Sequence, residues 1–284
     1  MKKIIDTHVH IWDLDAVEYS WLKNDPSILN KTYSIKEFLP VKEAAKIDYG
    51  ILVQAANNFE DTDYMLQTTA VTPGILGITG WLPLENPDAA AEAWENKYSQ
   101  NPYFKAVRHL MHDEPANDWI LQPKVVESLN YLANNSIPYE IVATKPEHMY
   151  ATLMLIEKLP HLKIVLDHLS QPPMQDAQAF EDREHIMKAH GSLNNVYAKI
   201  SGLGTASKKF DSWTESDITP AIENAISIFG TDRCFLGGDW PVSLLAGSYE
   251  DTWKKYHSVL NSLQLSSEAS DNIYYNNAAA FYNL

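Results

Sequence analysis

The feature that most constrains the fold of this chain is a regular alternation of short apolar runs with helical segments. Each run is rich in Ile, Val and Leu, and helical composition follows it. Strands that are apolar on both faces and alternate with helices are typical of a parallel sheet. The runs predict eight strands, at Lys3–Thr7, Tyr49–Gln54, Ile75–Trp81, Phe104–Arg108, Pro138–Val142, Leu162–Asp167, Val196–Ser201 and Arg233–Gly238. The helical segments include Ser34–Lys46, Thr62–Thr69, Pro87–Gln100, Pro123–Asn134 and Glu147–Leu159.

Eight strand–helix units favour a closed barrel over an open, doubly wound sheet. A (β/α)8 barrel typically needs about 250 residues, and this chain has 284. An open dinucleotide-binding sheet usually carries a glycine-rich loop after its first strand. Here that position reads Asp6-Thr7-His8-Val9-His10 instead. We therefore predict a single α/β domain over residues 1–284, folded as a (β/α)8 TIM barrel.

Residues whose side chains can ionise or form hydrogen bonds lie at the ends of the predicted strands. In a (β/α)8 barrel all strand C-termini meet at one mouth, where the active site lies. Polar residues scattered at random would not favour strand ends so consistently. The residues are His8, His10, Gln54, Trp81, Arg108, His109, Glu140, His168, Lys199, Ser201, Asp239 and Trp240.

The composition limits which binding partners and which cellular compartment are expected. The 37 acidic residues against 22 basic ones give a formal net charge of −15. This charge repels phosphate backbones and anionic membranes, so we expect neither nucleic acid nor a membrane as a partner. Cys234 is the only cysteine, which suits a reducing compartment, and no signal peptide is recognisable; we expect a cytoplasmic enzyme. The sequence does not fix the oligomeric state, and a homo-oligomer is compatible with it.

The segment Asp6-Thr7-His8-Val9-His10 is the most informative one. Residues two apart on an extended chain point to the same side, so His8 and His10 project together into the mouth. Two imidazoles there can bind a divalent metal or hydrogen-bond an acyl oxygen. The residues alone leave both roles open, beside the alternative of a chance pair satisfied by the backbone.

His168 and Asp239 follow the sixth and the eighth strand. His168 can bind a carbonyl oxygen, ligate a metal or orient a water, or else cap the following loop. The neighbouring Asp167 is expected to point the other way and is a candidate anchor for a site residue. Asp239 comes after two glycines and faces His8 and His10 across the mouth. A carboxylate is a natural base for a hydrolytic water, although an Asp before a proline also caps turns.

The remaining polar candidates are weaker. Arg108 suits a carboxylate or a carbonyl, or it pairs with an acidic neighbour such as Glu140. His109 is either a substrate contact or a packing residue. Glu140 is a candidate metal ligand or hydroxyl acceptor, and Lys199 is expected to face the lumen, where it needs an acidic partner.

Several aromatic side chains are candidates for a stacking wall against a sugar ring, with a packing role as the alternative. They are Trp12, Tyr19, Trp21, Trp81 and Trp240.

Six segments together resemble the amidohydrolase superfamily, more narrowly amidohydrolase family 2 and its sugar-lactonase group. That group holds L-fuconolactonase, L-rhamnonolactonase and 2-pyrone-4,6-dicarboxylate lactonase. The resemblance covers almost the whole chain and lies at strand ends. Its segments are Asp6–Asp13, Tyr19–Leu22, Val107–His109, Leu166–His168, Lys199–Gly202 and Gly238–Pro241.

The resemblance implies a barrel of the metal-dependent-hydrolase type and hydrolysis of an aldonolactone, such as L-fucono- or L-rhamnono-lactone, in carbohydrate metabolism. It implies that Asp239 activates water and later passes the proton to the leaving alkoxide. His8, His10, His168 and Arg108 would polarise the carbonyl. His109, Glu140, Trp81, Trp21, Lys199 and Trp240 are then the expected substrate-binding residues.

One departure from the superfamily pattern concerns the metal. Many amidohydrolases carry a lysine on strand four and a histidine on strand five, where this chain offers Arg108-His109 and Glu140. We therefore expect metal to be dispensable. The alternative is one divalent cation, zinc, held by His8, His10, Asp239 and Glu140.

Two other functions remain open at this stage. The first is a metal-dependent decarboxylase or hydratase of the same superfamily, which would usually need a histidine on strand five. The second is a barrel that binds a sugar acid without turning it over. Asp239 argues against the second, because a pure binding site does not need a base that faces three histidines.

Overall fold

The computed structural model describes residues 2–284 and confirms the (β/α)8 barrel. Its eight strands form one parallel sheet in the order β1 to β8. The barrel closes between β1 and the segment after β8, where Val9 pairs with Trp240 and the Asp239 N–H donates to the His8 carbonyl over 2.8 Å. The strands are β1 Ile5–Val9, β2 Tyr49–Val53, β3 Ile75–Gly80, β4 Phe104–His109, β5 Tyr139–Ile141, β6 Ile164–Leu166, β7 Val196–Ile200 and β8 Cys234–Leu236.

Helices surround the sheet and follow each strand on its outside. Five predicted helical segments are present, although Pro87–Gln100 divides after Ala93 into a helix and a π turn, Trp94–Tyr98. The helices are α1 Ile35–Ala44, α2 Phe59–Ala70, α3 Pro87–Ala93, α4 Pro123–Asn134, α5 Pro146–Lys158, α6 Ala177–Gly191, α7 Leu203–Ala206, α8 Glu215–Phe229, α9 Tyr249–Ser262, α10 Ser267–Asp271 and α11 Asn277–Tyr282.

The first strand lies two residues later than predicted. It spans Ile5–Val9 rather than Lys3–Thr7, because its pairing with β2 starts where Ile5 meets Tyr49. His8 is therefore part of the strand and not the residue after it. The other seven strands overlap their predicted ranges, and their ends differ by at most two residues.

The bottom of the barrel is filled by apolar side chains. Five strands each contribute one buried residue that packs with Ala278, Phe281 and Tyr282 of α11, and the five are Ile5, Ile51, Ala106, Val165 and Phe235. The C-terminal helix thus closes the end of the barrel that lies opposite the strand C-termini. Within residues 2–284, none of the helices is both long and apolar enough to cross a membrane.

Candidate active site

A cavity of about 350 Å³ opens at the C-terminal ends of the strands. It holds four of the five residues that were predicted as catalytic: His10, Arg108, His168 and Asp239. The fifth, His8, lies directly beneath them with a fully buried side chain. The lining is His10, Trp21, Ala55, Arg108, Leu110, His112, Asp113, Val142, His168, Gln171, Gly202, Thr205, Asp239, Val242 and Leu245.

His8, His10 and Asp239 converge on one point. Asp239 Oδ1 lies 3.9 Å from His8 Nε2 and 3.5 Å from His10 Nε2. The Nδ1 atom of His10 donates to the Val53 carbonyl over 2.8 Å, and its Nε2 is the ring nitrogen that faces Asp239. Burial lowers the pKa of His8 well below its usual range, so this imidazole is neutral.

These three residues fit a divalent metal. The Nε2 atom of His8 is buried without a hydrogen-bond partner among the described residues, and a buried orphan of this kind needs an explanation. The three ligand atoms lie within 4.8 Å of one another. Two ligands of a tetrahedral zinc with bonds of about 2.0–2.1 Å stand about 3.4 Å apart, close to the Asp239–His10 spacing.

His168 is held at the mouth by an unusual turn. Residues His168, Leu169, Ser170 and Gln171 all have positive φ, between 49° and 55°. Non-glycine residues rarely adopt this conformation, and strain of this kind is common at functional sites. The turn brings the His168 ring to 4.4 Å from the His8 ring, and its Nδ1 lies 2.8 Å from Ser201 Oγ.

Gly202 makes room for His168 and Asp239. Its φ is +60°, and a Cβ at this position would lie 2.6 Å from His168 Nδ1 and 3.1 Å from Asp239 Oδ2. A side chain here would therefore disturb both residues at once.

Arg108 is anchored from below by Asp167. Its Nε donates to Asp167 Oδ2 over 2.9 Å, and Nη1 donates to the Gln54 carbonyl over 3.0 Å. The acidic partner is therefore Asp167, and the alternative partner Glu140 was wrong. The expectation that Asp167 points the other way was wrong, because it lies two residues after Val165, whose side chain packs inside the barrel, and so points to the same side. Its contact with Arg108 fits the expectation that it anchors a site residue.

Lys199 and Glu140 lie deeper, in a buried ionic layer. Lys199 Nζ is 2.6 Å from Glu140 Oε2 and 3.0 Å from Asp167 Oδ1, and all three side chains are fully buried. Burial alone would raise the pKa of Asp167, but Lys199, His8 and Arg108 hold that pKa well below its usual range. Lys199 thus has two acidic partners, Glu140 and Asp167, where one was expected.

Both carboxylate oxygens of Glu140 already accept hydrogen bonds. Its Oε1 accepts from Thr79 Oγ1 and the Tyr282 hydroxyl, and its Oε2 accepts from Lys199. The predicted set of four ligands is corrected in one respect: Glu140 does not join His10 and Asp239, and its ligand atoms group with those of His8 and Asp167 instead. Neither Glu140 nor Lys199 lines the cavity, where both were expected to bind substrate.

The amidohydrolase family profile matches residues 5–284 of the chain. This chain belongs to the amidohydrolase family. The L-fucono-1,5-lactonase of Burkholderia ambifaria is 26% identical over 290 residues, which cover 99% of this chain and 95% of that protein. The L-rhamnono-gamma-lactonase of Scheffersomyces stipitis is 22% identical over 337 residues and covers 99% of both chains. The crystal structure of an amidohydrolase from Burkholderia multivorans with bound zinc superposes with a TM-score of 0.90, at 24% identity and with 99% of each chain covered.

Family membership confirms the resemblance drawn from the sequence and makes this amidohydrolase a hydrolase. The expectation that metal is dispensable finds no support in the site, because His8, His10 and Asp239 form a set that suits zinc. The zinc alternative is the one that the donor set favours.

Three of the predicted substrate-binding residues face away from the cavity of this amidohydrolase. His109 stacks on Trp119 at 4.0 Å and lies between the Trp81 indole, which donates to its Nδ1, and Glu114. Trp240 is 2% exposed and packs against Tyr33 and Phe38. Trp21 alone of the predicted aromatics lines the cavity; its Nε1 donates to the Ala55 carbonyl and leaves the ring face available.

His112 was not predicted from the sequence, yet it lines the cavity close to Arg108. Its Nδ1 is buried without a partner among the described residues, and burial lowers the pKa of His112 to about 3. The strand alternation of β4 does not extend to it, because Met111–Asp113 forms a 3-10 turn and Asp113 also lines the cavity. The signal available in the sequence was a further histidine only three residues after the end of a strand that reaches the mouth.

Proposed function

We propose that this amidohydrolase opens a sugar-acid lactone to the corresponding hydroxy acid. The names of its relatives support a lactone substrate: an L-fucono-1,5-lactonase and an L-rhamnono-gamma-lactonase match over nearly the whole chain. The observation that carries the proposal is the position of Asp239. Its Oδ1 lies within 4 Å of Nε2 of both His8 and His10, at the bottom of a cavity large enough for a sugar ring.

His8, His10 and Asp239 would hold one zinc ion in this proposal. When bound, such an ion polarises a carbonyl oxygen and lowers the pKa of water. Asp167 Oδ1 lies 3.6 Å from the Nδ1 atom of His8, longer than a hydrogen bond, and Lys199 Nζ lies 3.2 Å from the same nitrogen. The charge of Asp167 would favour a proton on Nδ1 and so leave the Nε2 lone pair free for the metal.

Asp239 is the proposed base. Its Oδ1 faces the imidazoles, and its Oδ2 lies beside Gly202, where no side chain intervenes. The carboxylate takes a proton from the attacking water as the oxygen bonds to the lactone carbonyl carbon. It then returns the proton to the ring oxygen as the ester C–O bond breaks, which gives the free carboxylic acid and alcohol.

His168 and Arg108 stabilise the negative charge that develops on the carbonyl oxygen. Burial lowers the pKa of His168, so this imidazole stays neutral. Its Nδ1 lies 2.8 Å from Ser201 Oγ, and in the proposed tautomer Nδ1 accepts from this hydroxyl and Nε2–H is the donor. Arg108 is fixed through Nε and Nη1 by Asp167 and Gln54 and presents the rest of its guanidinium to the cavity. Preorganised donors of this kind contribute much of the rate enhancement in acyl transfer.

The walls of the cavity suit a sugar ring. Trp21 presents an indole face, against which a ring can stack, and Leu110, Val142 and Leu245 are apolar. His112 is the proposed hydrogen-bond partner of a ring hydroxyl, because its buried Nδ1 has no partner among the described residues. Loss of such a partner selects strongly against substrates that lack the hydroxyl.

The experiment that tests the function is a pH-indicator assay on L-fucono-, L-galactono-, L-rhamnono- and D-arabinono-lactones. Each hydrolysis releases one acid, so turnover is read directly. We expect activity on at least one lactone and a decrease in kcat of about 10²- to 10⁴-fold for Asp239→Asn. The matched control, Asp113→Asn, removes a carboxylate from the same cavity and should change kcat only a few-fold. No turnover across the panel, or full activity of Asp239→Asn, would contradict the proposal.

A further inference from the structure

A second cavity, of about 390 Å³, lies beside the active site, between α5 and α6. We call it the α5–α6 cavity. Gln171 lines this cavity and also the catalytic one, so the left-handed turn that carries His168 separates the two. The lining is Thr144, Lys145, Pro146, Met149, Tyr150, Ser170, Gln171, Pro173, Ala179, Asp182, Arg183 and Ile186.

Arg183 is the unusual residue of this cavity. The residue is 7% exposed, yet Nε and Nη2 have no hydrogen-bond partner among the described residues. Burial lowers the pKa of Arg183 to about 9, so the guanidinium still carries its charge at neutral pH. A buried charge is costly unless it is paired, and the five donors of a guanidinium match the oxygens of a carboxylate or a phosphate.

A second buried donor and a helix N-terminus face the same space. Ser170 is 3% exposed, and its hydroxyl has no hydrogen-bond partner among the described residues. The 13-residue helix α5 begins at Pro146, beside the cavity, without a side-chain cap. Uncapped N–H groups and the helix dipole favour an anion at this end of a helix.

The charges around the cavity also favour an anion. Lys145 stands at its edge, where its Nζ donates to Asn117 Oδ1 over 3.2 Å. The only carboxylate in the lining is Asp182, which is exposed and accepts from the Gln178 side-chain amide over 2.9 Å. Two cations against one carboxylate make this cavity locally positive in a chain whose formal net charge is −15.

We propose that the α5–α6 cavity is a binding site for a small oxyanion, a carboxylate or a phosphate, with Arg183 and Ser170 as its principal donors. Tyr150, which is 56% exposed at the rim, offers an aromatic face to any ring that the anion carries. Anion binding at this site does not depend on which reaction the protein catalyses, so it can be tested separately from the lactonase activity.

Isothermal titration with inorganic phosphate and, separately, D-gluconate tests the site, in a buffer that contains neither group. We expect the wild-type protein to bind at least one of them, and Arg183→Met to weaken that binding at least tenfold. The Met side chain keeps the apolar stem, and removal of a buried unpaired charge should not destabilise the fold. Lys188→Met is the matched control, because it removes one charge from an exposed position of the same helix and should leave binding unchanged.

Ala179→Leu repeats the test if Arg183→Met does not fold, since it fills the cavity and leaves the guanidinium in place. Two outcomes overturn the proposal. The first is no binding of either anion to the wild-type protein. The second is binding that persists in Arg183→Met; its loss in Asp239→Asn would then assign it to the catalytic cavity.

Discussion

Replacement of Lys199 by Met would test whether the ionic layer of the barrel is structural. This lysine was predicted to bind substrate, but its side chain is fully buried, with Nζ 2.6 Å from Glu140 Oε2 and 3.0 Å from Asp167 Oδ1. Lys199→Met leaves two carboxylates in the lumen with one ammonium fewer. Breaking a buried ion pair by removing one partner costs about 3–5 kcal/mol.

The expected shift in melting temperature follows from the size of the chain. The entropy of unfolding is about 2.1 cal/mol/K per residue, which gives about 0.6 kcal/mol/K for 284 residues. A loss of about 3–5 kcal/mol therefore lowers the melting temperature by about 5–8 °C. Differential scanning calorimetry at pH 7 measures this shift directly.

Two comparisons make the measurement specific. Lys254→Met removes an exposed lysine whose side chain is 68% accessible and should shift the melting temperature by less than about 1 °C. Glu140→Gln added to Lys199→Met removes one of the two stranded carboxylates and should restore part of the loss. A melting temperature that stays within 2 °C of the wild type, together with a raised KM, would refute a structural role and restore the substrate-binding one.

Three further predictions concern the site and the fold. Gly202→Ala should lower kcat at least about tenfold in the lactone assay, because its Cβ would meet His168 Nδ1 at 2.6 Å and the positive φ adds about 1–2 kcal/mol of strain; wild-type kinetics would contradict this. Chelation should remove one zinc per chain, measured by elemental analysis, and abolish turnover until zinc is restored; a fully active metal-free protein would exclude the proposed ligand set. Burial lowers the pKa of His190 from 6.5 to about 4. Between these pH values His190 stays neutral in the folded state but binds a proton in the unfolded state. Stability should therefore fall by up to ~3 kcal/mol from pH 6.5 to 4, and urea titrations of His190→Gln should show a flatter pH profile.

The sequence predicted the barrel because its evidence is local and repeated. Each apolar run predicts a strand, and each segment of helical composition predicts a helix. Eight such strand–helix repeats are compatible with few folds other than a closed barrel. The ends of the strands depend on pairing between distant segments, which the sequence does not display. The first strand shows this: its start is set by Tyr49, which lies 44 positions after Ile5.

The candidate site was predictable where the side chain itself carries the chemistry. His8, His10, His168 and Asp239 come together as expected. The sequence does not show how deep inside the barrel a side chain lies, so Glu140 and Lys199 were predicted as residues of the mouth. The left-handed turn that begins at His168 was not predictable either, because no residue propensity suggests four consecutive non-glycine residues with positive φ.

The ionic layer links the barrel floor to the reacting groups. Tyr282 of the floor donates to Glu140, Glu140 pairs with Lys199, Lys199 pairs with Asp167, and Asp167 holds Arg108 at the cavity wall. Because each member is buried and paired with the next, the direction of the Arg108 guanidinium depends on groups far below it. The same carboxylate, Asp167, lies 3.6 Å from His8 Nδ1, so its charge acts both on the cation that we propose for the lactone carbonyl and on an imidazole of the proposed metal site. A substitution in this layer should therefore alter kcat through the geometry of the mouth even though it touches no substrate.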